Sequence, residues 1–382
     1  MVCTDNPEAM HKVIHTINVK NAIQALGWTQ KDLAAQLGVT GQAVTNWMKG
    51  TDFPRPDKLL KLATTLKLSF SDLVQLPQAE QPVVAFRKKG GAKTKDDHVL
   101  KAMGMGALLK ALVPYLSPLP QLRRQLSAPS TEYAALQDVV AQVRKSLGLG
   151  EGGVLHYELL LGEFADNGAV VVPVMWGALH NHKNALHILL PQERVTFIFL
   201  NLDTYREDFK FWMAHELAHV FTPRLAGYEE GEDFADAFAA ALLFPRELAC
   251  AAYAQVAGQS KSHEAEVLQA YASEHDISLN TVFQEINRFA SSQGLTPLKH
   301  QAVEIHKLRN WQRGKLVSES LFAPLPPEPA AYLAAAERQF RSDFFHALRR
   351  MVQEKQTGPG YLQQVMDIPM QDAFALYGEL TR

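Results

Sequence analysis

The chain is expected to be a mostly α, multidomain protein: a five-helix N-terminal domain, then an α+β domain with a small sheet, then a helical C-terminal region. Three observations predict this. Between residues 18 and 77, short apolar-periodic runs are separated by glycine breaks, which is the pattern of several short helices. After the glycines at 148, 150, 152 and 153 the runs VVVPVMW, ALHILL and VTFIFLN are rich in β-branched residues and bounded by loops. Helical periodicity resumes beyond them, and 382 residues exceed the usual size of one hydrophobic core.

Composition excludes several classes. The apolar share of 47 % is that of an ordinary globular protein, and no window approaches about 18 uncharged apolar residues, so no membrane partner is expected. The polar N-terminus lacks the apolar core of a signal peptide. Only Cys3 and Cys250 are present, which argues against a disulfide framework and for a reducing compartment; a cytoplasmic protein is expected. The net charge of −2 hides an asymmetry. Residues 18–77 hold seven basic and four acidic side chains and residues 83–101 six against two, whereas Asp203 to Asp236 holds nine carboxylates against three basic residues. The acidic surplus suits a dication.

Residues 1–17 read as a loose leader. From Asn18, Val19, Ile23 and Leu26 make one apolar face, ended by Gly27. Thr29 caps a second helix, QKDLAAQL, which Gly38 breaks; Thr40 caps a third, GQAVTNWMKG, which Gly50 ends. Pro54 and Pro56 lead into a fourth, and Ser69 opens a fifth with Phe70, Leu73 and Val74. Five short helices with a tight glycine-containing turn between the second and third are the layout of a helix-turn-helix domain over 18–77. Ala34 is small where the two helices cross, and Leu33, Leu37, Val39, Val44 and Trp47 are placed to build the core.

This segment resembles the Xre family of DNA-binding domains. The resemblance implies that the third helix lies in the major groove of double-stranded operator DNA. Gln42 and Asn46, i and i+4 on its exposed face, are then the base readers, since amide side chains pair bidentately with adenine. Gln30, Thr40, Thr45 and Lys49 would contact phosphates. The competing reading is a small helical domain that binds protein.

Residues 78–98 lose periodicity and gain Gly, Pro and Lys, as a basic linker does. Arg87, Lys88, Lys89, Lys93 and Lys95 are either an arm along the DNA backbone or an ordinary solvated connection. Residues 99–147 read as a helical connector, its last helix running from Thr131 to Leu147 with Leu136, Val139, Val140 and Val143 inward.

The α+β domain is expected over residues 148–295. His180, His182 and His187 lie in or near the sheet; a surface position is the ordinary reading, and assistance at a metal the alternative. The pentapeptide HELAH places His215 and His219 one turn apart on one helix face, so both imidazoles can grip one metal ion, with Glu216 beside it. H-E-x-x-H arises by chance in roughly one chain in a hundred of this length, so a plain amphipathic helix is the weaker reading. A catalytic zinc takes three protein ligands and leaves one position open. In EEGEDFADAFAAALLFP, Glu232 is assigned as the third ligand, and Asp236, one turn on, as the acceptor that orients a histidine; Glu229, Glu230 and Asp233 are substitutes.

The run FIFLNLDTYREDFKFWMAHELAHVF followed by EDFADAFAAALLFP resembles the ImmA/IrrE family of zinc metallopeptidases, over roughly residues 150–300. It departs at Asp236, where the family usually has Asn, and at Phe244, where it usually has Met. The resemblance implies a zincin-like metallopeptidase domain in which His215, His219 and Glu232 bind Zn2+ and Glu216 is the catalytic carboxylate. The substrate would be a repressor or other regulatory protein, cleaved to relieve repression after stress or in a mobile element.

Beyond Pro245 helices continue to about Ala290, and ASEHDISLNTVFQEINRFA has the cadence of a second helix-turn-helix-like unit with Ser278 as a cap. Residues 296–382 contain a Pro-rich break, a long helix from Pro329 to Gln353, a turn at Pro359 and a short final helix. They suit a dimerisation tail, making the protein a homodimer, or a sensing tail. The whole reads as a transcriptional regulator fused to a zinc endopeptidase. Its rivals are a repressor whose peptidase-like domain only senses metal or a protein partner, and an antitoxin-like autorepressor.

Overall fold

The computed structural model describes residues 13–49, 52–75, 81–85, 96–120, 122–150, 152–177, 185–311 and 314–382. The chain divides into two compact units, Met1–Gln81 and Pro82–Arg382.

The first unit holds five helices, α1 (Thr16–Ala25), α2 (Gln30–Leu37), α3 (Gly41–Lys49), α4 (Pro56–Leu66) and α5 (Phe70–Leu73), tied at its ends by the two-residue strands β1 (Val13–Ile14) and β2 (Val74–Gln75). Its boundaries follow from caps. Thr29 accepts from the Asp32 amide while Asp32 returns a bond to the Thr29 amide, and Gly38, at φ 66°, ends α2 in the left-handed conformation that glycine tolerates. Leu33, Ala34, Leu37, Val44 and Trp47 are buried together. Leu26 and Phe70 differ from expectation. Leu26 lies one residue past α1 as its C-cap and is 41 % exposed, and Phe70 at the start of α5 is 51 % exposed. The end of the expected leader is also ordered, since Val13 and Ile14 pair with Gln75 and Val74 in a ladder too short to leave a period-two pattern.

The second unit is built on a four-stranded sheet in the order β3 (Val83–Ala85), β5 (Ala185–Leu190), β6 (Val195–Asn201), β4 (Ala169–Val174). β4 and β6 are parallel; β5 is antiparallel to β6, and β3 antiparallel to β5. β6 is buried along its whole length, so it reads as a continuous apolar run covered on both faces. β3 lies within the stretch expected as linker; three residues are too few to betray a strand, and it forms by pairing with β5. The basic residues Arg87, Lys88, Lys89, Lys93 and Lys95, and also Gly50, His180 and His182, lie outside the described residues.

Helices α6 (Asp96–Leu109), α7 (Tyr133–Ser146) and α8 (Tyr157–Asp166) precede the sheet or enter it, and α9 (Arg206–Phe221) and α10 (Glu229–Leu243) follow β6. Leu136, Val140 and Val143 of α7 are buried, Val139 half-buried. Buried Arg144 of α7 donates from Nη1 to the Leu242 carbonyl at 2.8 Å, satisfying an end group of α10. The helices α11 (Arg246–Val256), α12 (Lys261–His275), α13 (Leu279–Ser292) and α14 (Ala302–Trp311) come next, and Ser278 caps α13 by accepting from the Thr281 amide at 3.1 Å.

The remaining helices are α15 (Val317–Leu321), α16 (Pro329–Arg338), α17 (Phe344–Lys355), α18 (Pro359–Met366) and α19 (Met370–Leu380). The single helix expected from Pro329 to Gln353 is two, α16 and α17. Between them Arg341 takes φ 50°, and Ser342 turns inward to donate to the Val171 carbonyl of β4, a tertiary bond that periodicity cannot announce. The connector residues and the C-terminal residues join the same core as the sheet: Phe344 packs edge-to-face on Phe197, ring centroids 6.4 Å apart. Among the described residues no single helix is long and apolar enough to cross a membrane.

Candidate metal centre and nucleic-acid face

α9 is the axis of the second unit. From Phe209 onward every residue but half-buried Phe211 is buried, because the helix lies between the sheet, α8 and α10. A helix covered all round has no polar face, so the polar groups it carries need buried partners or a ligand: Lys210 donates to the Leu155 and His275 carbonyls. His215, Glu216 and His219 are 1 %, 4 % and 1 % exposed.

Two local features bring α10 to them. Small residues, Ala214 and Ala218 on α9 and Ala235 and Ala239 on α10, are buried where the helices pack. At the head of α10, Gly231 leaves room for the preceding turn: a Cβ there would lie 2.1 Å from the Leu225 carbonyl oxygen. Glu232, the next residue, is thereby delivered to the histidines.

The resulting geometry is compact. His215 Nε2 is 3.2 Å from His219 Nε2 and 3.5 Å from Glu232 Oε2, and His219 Nε2 is 3.3 Å from Glu232 Oε1. Ligands about 2.0–2.2 Å from a tetrahedral ion stand about 3.3–3.6 Å apart, so these separations suit three donors around one zinc. Both Glu232 oxygens and one oxygen of Glu216 are buried without a hydrogen-bond partner, as a centre built for an ion would leave them. Among the described residues these three donors form the cluster with metal-ligating spacing. Glu229, Glu230 and Asp233, the alternative ligands, are exposed on the outer side of α10.

Asp236 sits one turn beyond Glu232, its Oδ1 3.0 Å from His215 Nδ1. Burial pushes the His215 imidazolium down, but the Asp236 carboxylate bonded to it and the Glu232 carboxylate 3.5 Å away outweigh this and raise it to about 9. Burial likewise pushes the Glu232 carboxyl up, and the two histidines beside it hold it well below the usual carboxylate range. A dication bound here would take the place of the proton between these groups, with Glu232 still supplying the negative charge.

His187 is left by the sequence between a surface position and assistance at a metal. It stands on β5, 1 % exposed, with Nδ1 3.4 Å from Glu216 Oε2 and its ring edge-on to His219 at 5.4 Å. Neither ring nitrogen has a hydrogen-bond partner, and burial holds the imidazole below its ordinary value. The available signal was a lone polar residue inside the apolar run ALHILL.

In the first unit, α3 buries Val44 and Trp47, packs half-buried Ala43 and Met48 against the same core, and exposes Gly41, Gln42 and Lys49. Gln42 is exposed and donates from Nε2 to Asn46 Oδ1 at 2.8 Å, so the two amides act as one unit along the helix. Gln30, Thr40 and Lys49 are exposed; Thr40 accepts from the Ala43 amide at 3.1 Å, and half-buried Thr45 donates to the Gly41 carbonyl at 2.9 Å.

Comparison with known families agrees with this division. The helix-turn-helix family matches residues 19–73, and the IrrE N-terminal-like domain of peptidase family M78 matches residues 172–280. A comparison with curated proteins finds no match. The crystal structure of ComR from Streptococcus suis aligns over 95 % of this chain and 94 % of that one, at 8 % identity and a TM-score of 0.14, which carries no argument about fold or function. The chain joins an Xre-type helix-turn-helix DNA-binding domain to an IrrE/ImmA-like domain of the M78 peptidase family.

Proposed function

We propose that the protein is a DNA-binding transcriptional regulator whose second unit is a zinc-dependent endopeptidase acting on a repressor or other regulatory protein. The observation that carries this reading is the meeting of His215, His219 and Glu232 beside a buried Glu216 that none of them engages. His215 and His219 would hold zinc through Nε2, and Glu232 through its carboxylate. When bound, zinc supplies a Lewis acid that polarises a carbonyl and brings the pKa of water toward about 7. Glu216 takes a proton at Oε2, the oxygen 3.4 Å from His187 Nδ1, and delivers it to the leaving amine. Asp236 keeps His215 in the orientation that presents Nε2. On the head, Gln42 and Asn46 read bases, while Gln30, Thr40, Thr45 and Lys49 contact the DNA backbone.

The test incubates the zinc-loaded protein and its Glu216→Gln variant with proteins encoded beside it. The expected result is equal metal content and cleavage by the parent alone. Equal cleavage by both removes Glu216 from the mechanism. The second reading, a regulator whose centre senses metal or a protein partner without turnover, is favoured by the near-complete burial of His215, His219 and Glu216, and gains if neither protein cleaves.

A further inference from the structure

The centre is closed, and what closes its edge is part of the same chain. β5 carries His187 toward Glu216, and β5 would be the outer strand of a three-stranded sheet were it not for β3. β3 pairs antiparallel with it, Val83 opposite Leu189, Val84 opposite Ile188 and Ala85 opposite His187. Residues directly opposed in an antiparallel pair project from the same face. Val83 and Ala85 therefore project on the face from which His187 reaches Glu216, and Ala85 is 3 % exposed.

The place β3 occupies is a slot one strand wide. On one side stands Gly106 of α6, where a Cβ would lie 2.4 Å from Pro82 Cβ and 3.0 Å from Ile188 Cγ2. On the other stands Gly227, in the turn between α9 and α10, where a Cβ would lie 3.3 Å from the Val84 carbonyl oxygen and 3.7 Å from Val83 Cγ1. Glycine on both walls admits a passing backbone while asking little of its side chains. Three residues, two of them half-buried, make a small hold for an edge strand, so another extended chain can compete for it.

We propose that the slot beside β5 is the binding site for an extended segment of the protein substrate, and that Val83–Ala85 fills it as an internal substitute that must leave before the centre can act. This rests on the peptidase reading. It also assigns a preference: the substrate residue that takes the place of Ala85, facing His187 and Glu216, has a small side chain. Val83 follows Gln81, the last residue of the first unit, by two positions, so an event that draws on the head acts on β3 through the backbone.

The test uses the full zinc-loaded chain with Cys3 and Cys250 replaced by serine. Val84→Pro loosens the pair, because proline holds φ near about −65°, away from the more extended backbone of an antiparallel strand, and Val83→Cys with Leu189→Cys allows β3 to be locked by oxidation. Three quantities are followed: amide exchange in β5, the rate at which dipicolinate removes zinc, and hydrolysis of unfolded casein. Val84→Pro should raise all three, the latter two by about tenfold, and oxidation of the cysteine pair should suppress them until reductant is added. The proposal is overturned if the locked protein keeps its reduced form's rates, or if exchange in β5 rises in Val84→Pro while zinc loss and hydrolysis stay at the parent's rate. If zinc loss follows β3 but no form cuts casein, the strand still covers the centre and the peptidase reading is the one that fails. Should Val84→Pro not fold, the locked pair decides alone.

Discussion

Asp236 Oδ1 approaches His215 Nδ1 to 3.0 Å, while the other nitrogen of that ring faces His219 and Glu232. An acceptor on Nδ1 fixes the tautomer that leaves Nε2 free for a metal. Asp236→Ala should weaken zinc binding by about 10–100-fold in a chelator competition, and Asp236→Asn, which can still accept through its amide oxygen, by much less. Equal affinity in parent and Asp236→Ala would show that the contact does not prepare the ligand.

His187 allows the folding and working roles of a buried group to be separated. A buried imidazole with neither nitrogen hydrogen-bonded is destabilising by about 1–3 kcal/mol, so His187→Leu should leave the metal-free protein as stable as the parent or more so in urea. Casein hydrolysis by the zinc-loaded variant should fall even so, because Glu216 loses the imidazole 3.4 Å from its Oε2. A loss of more than about 1 kcal/mol would instead mark His187 as a satisfied core residue.

Gly231 links packing to the site. With alanine the new Cβ would stand 2.1 Å from a backbone oxygen, so α10 must move away from the turn before it. Gly231→Ala should cost about 2–4 kcal/mol of stability and weaken zinc binding together, since the shift carries Glu232 with it. If stability falls and affinity does not, α10 adjusts elsewhere and Glu232 is held independently of its neighbour.

Glu285 of α13 gives a pH dependence remote from the metal. Burial pushes its carboxyl up from the ordinary 4.5 to about 7, against the pull of Arg288, which donates to it at 3.1 Å. Because the folded value is the higher one, the bound proton stabilises the fold. That contribution is complete below pH 4.5 and is lost as pH rises through 7. Glu285→Gln imitates the protonated form, so the parent should lose up to roughly 3 kcal/mol more than the variant between pH 4.5 and pH 8 in urea titrations. Parallel curves would mean that Glu285 ionises as an exposed carboxylate does.

What the sequence disclosed depended on how local the cause was. The caps at Thr29, Thr40, Ser69 and Ser278 act within three residues, and the pairing of His215 with His219 or Glu232 with Asp236 within one turn, so spacing alone announced them. α9 offers no amphipathic stripe because from Trp212 to Phe221 it is buried on every side; the motif identifies it where periodicity cannot. β3, the break at Arg341 and the approach of His187 to Glu216 come from contacts between residues far apart in the chain, and nothing nearby encodes them.

The head supplies the last prediction. Gln42 and Asn46 are bonded to each other at 2.8 Å, so removing one amide also frees the orientation of the other. Gln42→Ala should therefore weaken binding to the protein's own operator by about 1–3 kcal/mol and relax preference at the base it reads, with some loss at the neighbouring position that Asn46 meets. Lys49→Ala, in contrast, should weaken all sequences alike and make the logarithmic salt slope of binding shallower by about one. Sequence-independent loss from Gln42→Ala would turn α3 away from the bases, and an unmutated protein that shifts no operator fragment in a gel would remove the DNA-binding role from this face.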